Sequence, residues 1–212
     1  MHNHRRRALV LFCGSGSVEQ ALRLVDPEME IVAIDLDPRS TATLIQDIQQ
    51  FALTDLFDYP AGHFDVLWAS PPCTEYSRAM SRRPWGFPAA DILVASALAC
   101  LIHLRPAHWF IENPEGHLKK RPLMFPFSPY LHRVSYCHYG TTFRKDTNIW
   151  SNAPVTPLQL CRKETPCSAA AEHGVHPQTA QAGPSGRAIG SGAGKNVYAI
   201  PAALLKELFR QH

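Results

Sequence analysis

A thiol at Cys73 and a carboxyl group at Glu112 are the pair best placed for chemistry in this chain, because each lies at the end of an apolar run of strand length. Cys73 closes Phe64-Asp65-Val66-Leu67-Trp68-Ala69-Ser70-Pro71-Pro72-Cys73, and Glu112 falls late in Trp109-Phe110-Ile111-Glu112-Asn113-Pro114. Strands of an open parallel sheet deliver their C-terminal ends to one edge, so a nucleophile and an acid placed this way can meet over one substrate. Such a pair suits covalent attack assisted by a proton donor. A free cysteine is more often a small buried hydrophobe, which is the reading given to Cys100. Two prolines at a strand exit, followed by the polar run Thr74-Glu75-Tyr76-Ser77-Arg78, argue against that role for Cys73.

Further elements must bring these ends together. Residues 8–12 form a short apolar run that reaches Cys13-Gly14-Ser15-Gly16-Ser17 and then a helix-like stretch from Val18 to Leu24: strand, glycine turn, helix. A second run, Glu30 to Ile34, closes on Asp35-Leu36-Asp37-Pro38, after which Ser40 is positioned to cap a helix through about Gln50. Ala89 to Leu104, alanine-rich and apolar, reads as a packed crossover helix between the strands that end at Cys73 and Glu112. This alternation predicts an α/β fold, a doubly wound and mostly parallel sheet. Residues 134–150 supply a hairpin or late strands, with Val134-Ser135-Tyr136-Cys137 and Asn148-Ile149-Trp150 as apolar ends. From Ala153 to Gly194 the chain is rich in Pro, Gly, Ala and Ser and lacks periodicity, the texture of a long loop or a metal-stapled insertion. Helical spacing returns from Val197 to Phe209, with Pro201 tolerable in the first turn.

The chain's 212 residues, 45% of them hydrophobic, suffice for one well-cored domain with a small appendage. Twenty-one Lys and Arg against 18 Asp and Glu leave a net charge of +3, which allows an anionic partner without demanding one. Arg5-Arg6-Arg7, Arg82-Arg83 and Lys119-Lys120-Arg121 are basic runs that could meet phosphate, although short runs of this kind more often form a solvated face. Six scattered cysteines fit neither a secreted disulfide framework nor a thioredoxin-like pair, so a reducing interior is expected. No window is long and apolar enough to span a bilayer, and the basic N-terminus is unlike a secretory signal.

The glycine turn, between strand and helix, is the context in which backbone approaches a nucleotide-like ligand. Gly14-Ser15-Gly16 alone is a weak motif. Asp35, 19 positions beyond Gly16, strengthens it, since an acidic residue there reaches ribose hydroxyls in dinucleotide folds. Phe12-Cys13-Gly14-Ser15-Gly16, Asp35, Pro71-Pro72-Cys73 and Glu112-Asn113 together occur in the order that resembles DNA cytosine-5 methyltransferases, most of all the compact versions encoded by bacteriophages. The likeness covers most of residues 8–150 and resumes near Gly194-Lys195-Asn196-Val197.

That resemblance implies S-adenosylmethionine as methyl donor, with Phe12 near its adenine, Gly14 and Gly16 in the turn, Asp35 at its ribose and Asp47 near the adenine amine. Asp55 is the alternative to Asp47, and Pro71 and Asn196 complete the implied donor site. It also implies that Cys73 adds to carbon 6 of cytosine, making carbon 5 nucleophilic, while a protonated Glu112 hydrogen-bonds ring nitrogen 3. The partner is then DNA, whose target base must be flipped out of the stack. A monomeric protein, the cytoplasm of a bacterial host and protection against restriction follow from the same resemblance. Departures exist. Pro114 stands where valine is more usual, and Tyr139 to Thr147 lacks the paired-arginine pattern, so Arg144, with Lys145 beside it, is the cation assigned to the substrate pocket.

The resemblance divides the chain into a catalytic core at 8–150, a short insertion at 151–186 in place of a large target-recognition region, and a tail at 187–212 that returns to the core. Within the insertion Cys161, Cys167, His173 and His176 are a soft-ligand set for a structural zinc ion, with Cys137 as a further candidate and His138 read as a strand-edge residue. Two other functions remain open at this point. A methyltransferase acting on an exocyclic amine or a free nucleotide would want an aromatic residue where Cys73 stands after Ser70-Pro71-Pro72. A catalytically idle DNA-binding protein would have no use for Cys73 and Glu112.

Overall fold

The computed structural model describes residues 5–77, 88–155, 158–174, 176, 178–179 and 198–210. Asn196 and Arg82-Arg83 lie outside them. A seven-stranded sheet organises the chain: β1 (Arg7–Leu11), β2 (Glu30–Asp35), β3 (Leu44–Ile45), β4 (Val66–Ala69), β5 (His108–Pro114), β6 (Leu131–Ser135) and β8 (Asp146–Ser151), in the order β3-β2-β1-β4-β5-β8-β6. β1 to β5 run parallel, and β8 pairs antiparallel with both β5 and β6. A separate two-stranded ladder joins β7 (Phe143–Arg144) to β9 (Gln178–Thr179). The central strands are apolar without alternation because both faces are covered. All four residues of β4 and four of the five in β1 are buried.

Helices α1 (Ser17–Val25) and α5 (Ala202–Phe209) cover one face; α2 (Ile48–Leu53) and α3 (Pro88–Leu104) cover the other. Leu204, Leu205, Leu208 and Phe209 of α5 close the first layer, and the Phe209 ring meets those of Trp68 and Phe110 edge-on at 5.8 and 5.5 Å. Each such buried side chain contributes roughly 1.5–3 kcal/mol through removal of apolar surface from water. Cys100 is fully buried in the second layer, the small-hydrophobe role expected of it.

One expectation is overturned. Residues 40–47 are not helical: after a bend the chain enters β3, and the helix begins only at Ile48, capped by Asp47 rather than Ser40. Thr43 explains the difference. Its backbone N–H and hydroxyl both donate to the Ala33 carbonyl, and its hydroxyl accepts from the Ala33 N–H at 2.8 Å, which ties this stretch alongside β2.

The sheet reverses its winding between β1 and β4, where successive connections leave in opposite directions. Ligand crevices form at such a switch point, outside the C-terminal ends of the strands. The glycine turn after β1 and Pro71-Pro72-Cys73 after β4 both lie there.

Candidate active site

The turn after β1 is held by backbone bonds. Phe12 (φ 59°) and Cys13 both donate to the Ile34 carbonyl, and the Gly14 N–H donates to Asp35 Oδ2 at 2.9 Å. Gly16 has φ 75°, and a Cβ there would lie 2.6 Å from Thr41 Oγ1, so no other residue fits without displacing Thr41. Asp35 Oδ1 accepts from the Asp37 N–H at 2.9 Å. The carboxylate is thereby fixed at the strand end with lone pairs to spare for a ligand hydroxyl.

Beside this turn is a cavity of about 450 Å³ lined by Phe12, Asp35, Asp47, Ile48, Pro72 and Leu93, among others. Its size, its apolar walls and its two carboxylates suit an adenosine-sized group. Asp47 lines it while also capping α2 through the Gln49 N–H. Asp55 is occupied elsewhere, accepting from Gln46 Nε2 and Thr54. Pro71 does not line this cavity: it is buried, and its carbonyl accepts from Asn113 Nδ2 at 2.9 Å. Pro72, exposed, is the proline that faces the cavity.

That Pro71–Asn113 bond couples the two chemical strand ends, since Asn113 follows Glu112 directly. Cys73 begins a short turn of 3₁₀ helix over Thr74–Tyr76. Tyr76 is buried, and its hydroxyl donates to Asp91 Oδ1, which is also held by Arg121. Gly116 packs directly against the Tyr76 carbonyl, leaving no space for a Cβ. The loop after the thiol is therefore pinned to α3 and to the segment after β5. Ser70 is engaged as well, accepting from Trp68 Nε1 at 2.8 Å.

Cys73 is half-buried. Burial holds its thiol above the ordinary value; the Lys145 ammonium pulls it down, and the Glu112 carboxylate pushes it up. Glu112 is 5% exposed, and its Oε1 accepts from the Tyr136 hydroxyl at 2.9 Å. Tyr136 is fully buried, and burial together with Glu112 keeps its phenol well above the usual range, so it stays a donor. Lys145 Nζ sits 4.9 Å from the centre of the Tyr136 ring.

Arg144, the cation expected from the sequence, is engaged by a neighbouring carboxylate. Arg144 is exposed and paired with Asp146, through Nε at 3.0 Å and Nη2 at 2.6 Å, and its charge is felt by Cys137 and Cys161. Adjacent residues of an extended chain point to opposite sides, and it is Lys145, not Arg144, that lies over the ring of Tyr136, the partner of Glu112. Tyr136 was missed altogether, because an aromatic residue in an apolar run reads as core. Arg5-Arg6-Arg7 also lies away from this edge, at the start of β1, where its side chains pair with Asp26, Glu28 and Glu30.

Cys137, Cys161, Cys167 and His176 converge, with one ligand atom from each and all four atoms within 4.8 Å of one another. His176 Nε2 is 3.6 Å from Cys161 Sγ and 3.3 Å from Cys167 Sγ. No disulfide links these thiols. Burial and the neighbouring thiols raise the Cys137 pKa. Cys137, the further candidate, thus joins Cys161, Cys167 and His176; His173 ends α4 (Ser168–His173), and its side chain is outside the described residues. His138 is not part of the cluster.

The family model for C-5 cytosine-specific DNA methylases matches residues 7–124, more than half of the 212 residues. The chain belongs to that family. Among its relatives, a protein of Frog virus 3 (isolate Goorha) named as a probable DNA (cytosine-5)-methyltransferase is 26% identical over 179 residues, 76% of this chain and 77% of the relative. Among solved structures, one described as a DNA modification methyltransferase encoded within an E. coli prophage aligns with a TM-score of 0.50 at 13% identity, over 69% of this chain and 46% of that one. This likeness establishes a shared fold. The chain spans about half the length of the solved structures it matches. Among the described residues no helix is long and apolar enough to cross a membrane.

Proposed function

We propose that this C-5 cytosine-specific DNA methylase transfers a methyl group to carbon 5 of cytosine in DNA, with Cys73 as nucleophile and Glu112 as acid. The carrying observation is that Cys73 and Glu112 stand at the C-terminal ends of the paired parallel strands β4 and β5, tied by the Asn113–Pro71 bond, beside a cavity bordered by Phe12, Asp35 and Asp47. Cys73 Sγ, as thiolate, adds to carbon 6 of a flipped cytosine and drives electron density toward carbon 5 and nitrogen 3. Protonated Glu112 hydrogen-bonds nitrogen 3 and stabilises that electron-rich ring. Lys145 supports the thiolate before attack. Phe12, Asp35 and Asp47 would hold the donor, and S-adenosylmethionine supplies an electrophilic methyl group when bound there. Once carbon 5 has taken the methyl group and the donor has left as a neutral thioether, a water base removes the carbon-5 proton, the Cys73 thiolate is expelled from carbon 6, and the aromatic ring is restored.

Transfer of tritiated methyl from S-adenosylmethionine into DNA, followed by base analysis, tests this reading. The expected product is 5-methylcytosine from the wild-type protein and none from Cys73→Ser. Methyl recovered on an exocyclic amine, or undiminished in the variant, contradicts it.

The same reading includes a structural zinc ion on Cys137, Cys161, Cys167 and His176. Tetrahedral ligands at zinc–sulfur and zinc–nitrogen bond lengths stand about 3.5–3.8 Å apart, close to the two separations above. Elemental analysis should find one zinc per chain, lost in Cys161→Ala; unchanged zinc in the variant removes Cys161 from the ligand set. We extend the reading to the segments already outlined, a core at 8–150, a metal-stapled insertion at 151–186 and a returning tail at 187–212, and to protection of viral DNA by its own modification. Base-resolution mapping of cytosines in a host expressing the chain checks that last point, and an unmodified genome contradicts it.

A further inference from the structure

We propose that Tyr136 is the positioning residue that presents Glu112 to the base, and that the Cys/His cluster holds Tyr136 in place. This rests on the methyltransferase reading above and goes beyond it in joining the insertion to the reacting groups. The Tyr136 hydroxyl donates to Glu112 Oε1, which makes that oxygen the acceptor and leaves Oε2 for the proton shared with ring nitrogen 3. A neutral donor suits this task. Unlike a cation, a phenol adds no charge at this point and fixes one carboxyl oxygen in direction.

Tyr136 is itself constrained from several directions. Its N–H donates to the Lys145 carbonyl at 3.0 Å, and its ring lies beside the Lys145 ammonium, so one residue touches both the acid and the cation that acts on Cys73. The next residue, Cys137, enters the Cys/His cluster. The preceding residue, Ser135, is clasped by the insertion twice: its N–H donates to the Gln159 carbonyl at 2.9 Å, and its hydroxyl accepts from the Cys161 N–H at 3.0 Å. β9 of the insertion pairs with β7, just before Lys145. A segment that lacks a large core of its own is thus stapled around residues 135–145. A metal ion that closes the staple removes freedom from Tyr136 and, through it, from Glu112.

The test is steady-state methyl transfer by the full-length protein as wild type, Tyr136→Phe, Cys161→Ala and the double variant, with zinc content measured on each. Phenylalanine keeps the ring and its packing and removes only the donor. Tyr136→Phe should retain zinc and lose about 10–100-fold in kcat, with KM for DNA and donor changed less than about threefold. Cys161→Ala should lose zinc and a similar factor in kcat, and the double variant should fall little further, because both changes act on one contact. Tyr136→Phe with kcat within about twofold of wild type overturns the positioning role, and multiplying losses in the double variant overturn the link to the cluster. A wild-type protein that transfers no methyl overturns the underlying reading instead. If Cys161→Ala does not fold, removal of zinc by a chelator from the folded wild type and from Tyr136→Phe takes its place: kcat should fall in the wild type and little further in Tyr136→Phe, and equal falls in both overturn the link to the cluster.

Discussion

On the donor side of the site, the candidate contacts between Phe12 and Asp47 come from two neighbouring parallel strands and the start of α2, tied by the Gly14–Asp35, Asp35–Asp37 and Asp47–Gln49 bonds, with Pro72 and Leu93 closing the cavity. On the acceptor side, Cys73, Glu112, Tyr136 and Lys145 arrive from separate segments and are brought together by strand register, the Pro71–Asn113 bond and the Tyr136–Glu112 bond. The first region rests on adjacent parallel strands and one helix cap. The second depends on an antiparallel strand pair and on an insertion stapled against it. Damage on one side should therefore be separable from damage on the other.

Glu112→Gln offers the sharpest separation. Loss of the acid should reduce kcat by about 10²–10⁴-fold while donor affinity, measured calorimetrically, is unchanged; equal losses in both would show that the two sides are not independent. Asp35→Ala should do the reverse. Removing a carboxylate that orders the Gly14 turn should weaken donor binding by about 10–100-fold and leave kcat at saturating donor nearly intact. A kcat loss as large as that of Glu112→Gln would break the distinction.

Lys145→Met probes the acceptor side more gently. The Cys73 thiol is raised above its ordinary value, by burial first and by the Glu112 charge as well, with Lys145 opposing. Thiolate therefore forms only as pH climbs into the alkaline range, and alkylation of Cys73 by iodoacetamide, followed by peptide mass spectrometry, should accelerate with pH. Without the ammonium the group rises further, so the same limb should move to still higher pH. An unmoved limb would remove Lys145 from the thiol's environment.

These two regions also differ in how far they could be read from residues alone. Buried parallel strands are apolar runs, so β1, β2, β4 and β5 were visible, and with them the strand-end positions of Asp35, Cys73 and Glu112. The glycine turn was visible for the same local reason. Residues 40–47 misled because a serine before a polar stretch resembles a helix cap, whereas the deciding contact, Thr43 to Ala33, crosses between strands. On the acceptor side the informative contacts span long loops. Nothing in Val134-Ser135-Tyr136-Cys137 reveals that the phenol bonds Glu112, although the thiol is a candidate for the Cys161 set from composition alone, and only the pleat separates Arg144 from Lys145.

The most direct test of the central claim is covalent capture. DNA in which target cytosines carry fluorine at carbon 5 cannot lose a proton there after methylation, so the adduct should persist. Incubated with S-adenosylmethionine and the wild-type protein, it should yield a stable protein–DNA complex whose attachment maps by mass spectrometry to Cys73. No complex on DNA that the protein otherwise methylates, or attachment at any other residue, would contradict the account.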